Sequence, residues 1–315
     1  MLSTRIGELA ALGTASCWTI SALSFETAGK RIGSLSTNLI RMALAAVFLT
    51  ALHAVRQGGL LPLDAGAHAW GWLAVSGLVG FTFGDLCLFK AFVYIGPRLA
   101  SVMMCLAPPF AALLGWMFLG ERLGALDLIA MSLIGCGVAA AIAARAPSAS
   151  SPLPGTDVAD PESQTPAASA SGHRTRGLLL AVGGALGQAG GLVLSKIGMG
   201  KFDPFAATQI RVLAGFGGFL IVALALRWGG RMRAALADRP AVRWATLGAI
   251  FGPFLGVGLS LVAVQRTSAG VAASLMATTP VLILPIVVLL GREKFSLASL
   301  GGALLAVAGV ALLFA

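Results

Sequence analysis

The chain has 315 residues, 57% of them hydrophobic and 11% charged, where a soluble globular domain carries about a quarter charged. Together with a mean hydropathy of +0.91 and apolar runs near the roughly 20 residues that cross a bilayer, this excludes disorder and an ordinary soluble enzyme. The net charge of +10, from 22 Lys and Arg against 12 Asp and Glu, falls mostly between the apolar runs and forms no aromatic-interleaved stripe, so it reads as a membrane-surface and topology signal and not as a nucleic-acid footprint.

In chain order the apolar windows predict ten spans, at 7–27, 36–56, 70–91, 99–119, 124–144, 177–197, 206–226, 243–264, 270–290 and 296–315. Hydrocarbon offers no partner for backbone groups, so spans are helices or a closed barrel, and continuous Leu, Ala and Gly without period-two alternation decides for helices. The fold class expected is therefore an all-α polytopic membrane protein. Glu8 beside the start of the first run, and the lack of an A-x-A pattern, make that run a retained span and not a signal peptide. Between the fifth and sixth spans, residues 146–176 carry Pro147, Pro152, Pro154, Pro161 and Pro166 among Ala and Ser, the composition of an exposed flexible linker. It divides the chain into five-helix units at 1–145 and 177–315. Cys17, Cys87, Cys105 and Cys136 lie in apolar runs without CxxC spacing or neighbouring histidines, so they are expected to pack, and neither a disulfide framework nor a metal site is expected.

The two units repeat each other. A shift of 170 matches Gly7 with Gly177, Gly13 with Gly183, Ile40 with Ile210 and Arg41 with Arg211; a shift of 172 matches Trp72 with Trp244, Gly80 with Gly252, Gly84 with Gly256, Met104 with Met276, Pro108 with Pro280, Glu121 with Glu293 and Gly137 with Gly309. An odd number of spans per unit inserts the two in opposite senses, the inverted repeat typical of alternating-access transporters.

The stretch LASVMMCLAPPFAALLGWMFLGERLGALDLIAMSLIGCGV at Leu99–Val138, with its echo TTPVLILPIVVLLGREKFSLASLGGALLAVAGV within Val271–Val310, resembles the EamA-type repeats of the drug/metabolite transporter superfamily. A proline, a glutamate thirteen residues on and a glycine sixteen beyond that recur in one register. The second copy departs by having Gly291-Arg292-Glu293 where the family usually has Gly directly before Glu. The resemblance covers nearly all of the chain outside the linker. It implies a ten-helix secondary transporter with both termini cytoplasmic, a small-molecule substrate and no cofactor, and it leaves the substrate open.

Candidate site residues come from the spans. Pro108 and Pro280 stand about ten residues into spans four and nine, near the midplane, where a proline frees a backbone carbonyl for a neighbour or a ligand. Gly80-xxx-Gly84 and Gly252-xxx-Gly256 place small residues one turn apart for close helix approach. Glu121 and Glu293 are expected at helix N-termini, where the dipole favours a carboxylate, or in a gate. Among intramembrane charges, Glu26, Arg41, Asp85 and Arg211 require a partner or an aqueous cavity, whereas Lys90 and Lys196 lie near span ends and are expected to snorkel. Arg41 and Asp85 fall at a similar depth from one face and are expected to pair, with a coupling proton as the other role open to Asp85. Arg211, the mate of Arg41, has no such acid, because the position matching Asp85 is Val257, which leaves helix-end carbonyls, Glu121 or a substrate anion as its partner. Trp18 and its mate Gln188 are candidates for the cavity wall, as a stacking surface and an amide.

No Walker loop, nucleophile elbow or HExxH is present, so neither ATP use nor hydrolysis is indicated. Seven basic residues (Arg5, Arg56, Arg122, Lys196, Lys201, Arg211 and Arg266) lie nearer the N-terminal face and the other fifteen opposite. The positive-inside rule then places the loop of Arg227, Arg231, Arg233, Arg239 and Arg243 in the cytoplasm, the reverse of what the resemblance implies. The expectation is a secondary transporter of a small polar or amphipathic metabolite in the bacterial inner membrane, in contact with membrane lipid. The alternatives are a membrane-embedded enzyme or flippase-associated subunit for lipid-linked substrates, and a channel-like uniporter.

Overall fold

A computed structural model describes residues 5–143, 170–289 and 297–314; Glu293 and most of the linker lie outside them. In the first unit, α1 (Ile6–Ile32) and α2 (Ser34–Gln57) meet at Gly33, whose φ of 80° is open to glycine at little cost. The third span is α3 (Gly66–Gly77), a π-helical segment Leu78–Gly84 and the start of α4 (Asp85–Met104). Helical hydrogen bonding continues through α4 into the fourth span, which α5 (Ala107–Leu119) completes, and α6 (Ala125–Ala143) is the fifth.

In the second unit, α7 (Ala170–Met199) and α8 (Pro204–Ala225) are spans six and seven, and a short helix α9 (Gly229–Ala237) follows. Span eight comprises α10 (Arg239–Ala249), a second π segment Ile250–Gly256 and α11 (Val257–Arg266). Span nine is α12 (Ala269–Met276) with α13 (Thr279–Leu289), and span ten is α14 (Leu297–Leu313). Among the described residues eight helical rods are long and apolar enough to cross a membrane; the ninth and tenth are the shorter apolar stretches Ala269–Ile283 and Leu297–Leu313. The chain ends where it begins. The Arg5 guanidinium donates to the carbonyls of Leu313 (2.9 Å) and Phe314 (3.3 Å), as an even number of crossings requires.

Both units bend at the same two places. The π segments begin at Leu78 and Ile250, 172 residues apart, where the sequence read as ordinary α-helix with GxxxG spacing. In the second copy Pro253 supplies a cause, since it has no N–H for the i−4 carbonyl and its ring crowds that carbonyl; the first copy has Phe81 there. Spans four and nine are interrupted at 105–106 and 277–278, again in register. In the sequence Pro108 and Pro280 stand inside continuous apolar spans, about ten residues in. Each proline instead stands second in a new helix, α5 or α13, where a missing N–H leaves nothing unsatisfied.

Glycines set the helix distances. A Cβ on Gly137 would lie 2.4 Å from the Ala306 nitrogen, and one on Gly302 2.5 Å from that of Ala141, so α6 and α14 touch backbone to backbone. Gly309 is packed the same way on Ala130. The terminal glycines of the two motifs thus join span five to span ten. Across the units, Gly80 and Gly84 meet Gly191 and Gly187 of α7. In lipid, where apolar surface gains little by hiding from lipid tails, such close van der Waals packing is what holds helices together.

At the end opposite the chain termini, Asp238 caps α10 by accepting from the Ala241 amide (3.0 Å) and pairs with Arg31 of α1 (3.0 Å). The Ala241 bond, then Arg31, hold its carboxyl below the ordinary aspartate range. A carboxyl with a lowered folded-state pKa contributes stability that is present above its unfolded pKa and fades as pH falls through the folded one. Acidification below the ordinary aspartate range is therefore expected to loosen the α1–α10 junction. Hydrogen-exchange protection of the α10 amides, corrected for the intrinsic pH dependence of exchange, should fall there in the wild type and stay constant in Asp238→Asn.

Candidate functional site

The two interrupted spans converge on a cavity of about 460 Å³. Pro108 and Pro280 both line it, with Met104 and Met276, the matched residues just before the breaks. Trp18 and Gln188 line it too, one from α1 and its repeat mate from α7. Most of the wall is apolar, and Trp18, Phe25 and Phe81 give it aromatic faces.

Its polar centre is Asp85, the residue directly after the first π segment. The extra residue in a π turn rotates the next residues about the helix axis, and Asp85 and its mate Val257 both reach the cavity wall. Asp85 is 7% exposed and ion-paired with Arg41, as the sequence predicted; its other oxygen accepts from Gln188 Nε2 at 3.3 Å. Arg41 in turn lies over the Phe25 ring at 5.2 Å. A buried carboxylate needs such company, because the attraction must offset the loss of hydration of both ions. The amide of Gln188 finds its partner across the repeat boundary, so one ion pair and one amide bind α2, the third span and α7 at a single point.

Arg211 is placed differently. It is 5% exposed, does not line the cavity, and lies behind Phe81 with its Cζ 5.0 Å from that ring's centroid.

On the side of the chain termini a second polar cluster crosses the units. Lys196 donates to Glu121 Oε1 and to the Thr267 carbonyl, each at 2.6 Å, and Glu121 Oε2 accepts from the Ala269 amide at 2.8 Å. Lys196, expected to snorkel, is instead tied to Glu121 and the Thr267 carbonyl. Glu121 precedes α6 but serves the N-terminus of α12, so the dipole it neutralises belongs to the other unit. Glu26 forms an (i, i+4) pair with Lys30 on exposed α1 surface, away from the cavity. Glu293 is outside the described residues. The four cysteines are free, with Cys17, Cys87 and Cys105 half-buried and Cys136 exposed. Among the described residues no group of three or more His, Cys, Asp or Glu is placed to hold a metal ion.

Sequence reasoning passed over Phe25, Phe81, Met42 and the Lys196 contact. Aromatic and aliphatic wall residues carry no mark in a chain this apolar. Met104 and Met276 were visible as a repeat match without a role.

A helical bundle built from two matched units around a cavity lined by two interrupted helices defines the class of polytopic membrane transporters. The chain belongs to the EamA-like transporter family, which it matches over residues 5–143 and 175–315. Comparison with curated proteins returns no match. A solved structure described as "Crystal structure of protein" is similar over 98% of this chain and 96% of its own length, with a TM-score of 0.72 and 17% identity; at that identity the likeness is one of fold.

Proposed function

We propose that the protein is a secondary transporter that carries a small polar or amphipathic metabolite through the cytoplasmic membrane by alternating access between inverted units. The observation that carries this reading is the position of the cavity. It occupies the half of the bundle toward the linker face, as Arg41, Asp85 and the start of span four indicate, while the Glu121–Lys196–Ala269 cluster closes the terminal face beneath it. A cavity toward one side and charges tying the units together at the other suit an alternating gate. An apolar wall with a few convergent polar groups suits an amphipathic solute, and Asp85 offers a proton acceptor.

Cys105 lines the cavity and reports on the gate. With Cys17, Cys87 and Cys136 replaced by serine, an impermeant maleimide is expected to reach Cys105 from the linker face only. Glu121→Gln, which removes the ion pair, should admit it from the terminal face as well. In proteoliposomes, counterflow of one labelled metabolite from a pool of amino acids and nucleobases should accompany this switching. Labelling of the wild type from both faces at once, with flux indifferent to ion gradients, would instead support the channel-like alternative. Reporter fusions to the termini decide between the family's cytoplasmic placement and the opposite one favoured by the arginine loop.

A further inference from the structure

Arg41 and Arg211 occupy matched positions in the two units, yet the structure gives them opposite company. Arg41 has Asp85 and faces the cavity. Arg211 is as deeply enclosed as the apolar core around it, at 5% exposure, and its Nε, like that of Arg41, has no hydrogen-bond partner. Among the described residues no carboxylate forms an ion pair with it; the ring of Phe81 is its charge-accepting neighbour. The third span packs closely on this residue: Gly77 admits the Arg211 backbone where a Cβ would lie 2.2 Å from its carbonyl oxygen, and Gly80 stands within van der Waals range of Arg211 Nη2. A guanidinium sealed in a membrane interior needs a counter-charge, and the position matching Asp85 holds Val257.

Inverted units exchange surroundings when access switches. In the conformation described, Arg41 and Met42 line the cavity on the linker side, and Phe81 separates it from Arg211. In the opposite conformation, related by the repeat, the mates Arg211 and Val212 would take the equivalent wall of a cavity on the terminal side, and the position matching Asp85, Val257, would bring the arginine no carboxylate. We propose that Arg211 is the receptor for an anionic group, a carboxylate or phosphate of the substrate or a co-transported inorganic anion, which enters from the terminal face and supplies the charge that Asp85 supplies in the first unit. The inference rests on the alternating-access reading. A planar guanidinium matches such anions with two parallel hydrogen bonds, and an anion bound in one conformation only shifts the population toward it.

The test uses the purified full chain in detergent. Thermal unfolding is followed with chloride, inorganic phosphate, or acetate with acetamide as its neutral counterpart, each against a bulky sulfonate at matched ionic strength. A saturable rise in midpoint is expected in at least one arm, because a ligand that binds the folded state stabilises it by mass action. Chloride or phosphate points to a co-transported ion, and acetate without acetamide to a substrate carboxylate. Arg211→Gln should abolish the rise, and Arg211→Lys, which keeps the charge but loses the fork, should weaken it about tenfold, the worth of one charge-assisted hydrogen bond. No rise in any arm for the wild type, or an undiminished rise in Arg211→Gln, overturns the proposal. Should the variants not fold, phenylglyoxal modification of Arg211 in the wild type, mapped by peptide mass, decides the same question: slower in the effective anion supports the site, unchanged rejects it. Loss of proteoliposome flux with the anion response intact would remove the transport reading alone, and flux without an anion response would remove this inference alone.

Discussion

Asp85→Asn is expected to abolish transport and to destabilise the protein more than the joint replacement Asp85→Asn with Arg41→Gln. Removing one member of a buried ion pair strands the other charge, at a cost of about 3–5 kcal/mol, whereas removing both leaves two neutral groups. The single variant also removes the acceptor of Gln188 on one oxygen or turns it into an amide contact of either sense, so α7 loses part of its tie to the third span. Thermal unfolding of the four members of the cycle gives the coupling, and a coupling near zero rejects the pair as a structural element. Transport measured against pH separates the second role. If Asp85 takes up a proton when the cavity changes access, the wild-type pH dependence disappears in the variant; an unchanged profile removes the proton role.

Gly187→Val should have the next largest effect. A Cβ at this position falls 2.7 Å from the Gly84 Cα, and at Gly191 2.7 Å from the Gly80 Cα; both obstacles are backbone and cannot rotate away. Overpacking of a close interface costs about 1–3 kcal/mol when side chains can yield, so the upper end or beyond is expected here. The displaced helix carries Gln188 and Lys196, hence binding at the cavity and closure of the terminal face should fail together. Gly190→Ala is the control, because its Cβ would meet only a Val79 methyl at 3.6 Å. Equal stability of the two variants would show that the glycine contact contributes nothing.

What could be read from the chain divides along the same physical line. Span number, the duplicated units, the Arg41–Asp85 pair and the convergence of Pro108 and Pro280 were legible, because length, charge in an apolar run and a repeated register are properties of sequence. The site's finer shape was not. The π segments depend on whether a local hydrogen-bond ladder slips by one residue, and at Leu78–Gly84 no proline announces it. The interruption before Pro108 needed the tertiary setting to turn a kink into a break. Lys196 resembled any cation near a span end, since its partner Glu121 comes from a loop 75 residues away.

The matched distortions also carry history. A π segment and a helix break at the same register in both halves are most simply inherited from one five-span ancestor that already had both before its gene was copied. Pro253 then reinforced one copy, while Phe81 kept the other, and Asp85 and Val257 mark where the copies ceased to be interchangeable. Within one chain the matched positions are free to differ, and the cavity carries its acid on one unit alone.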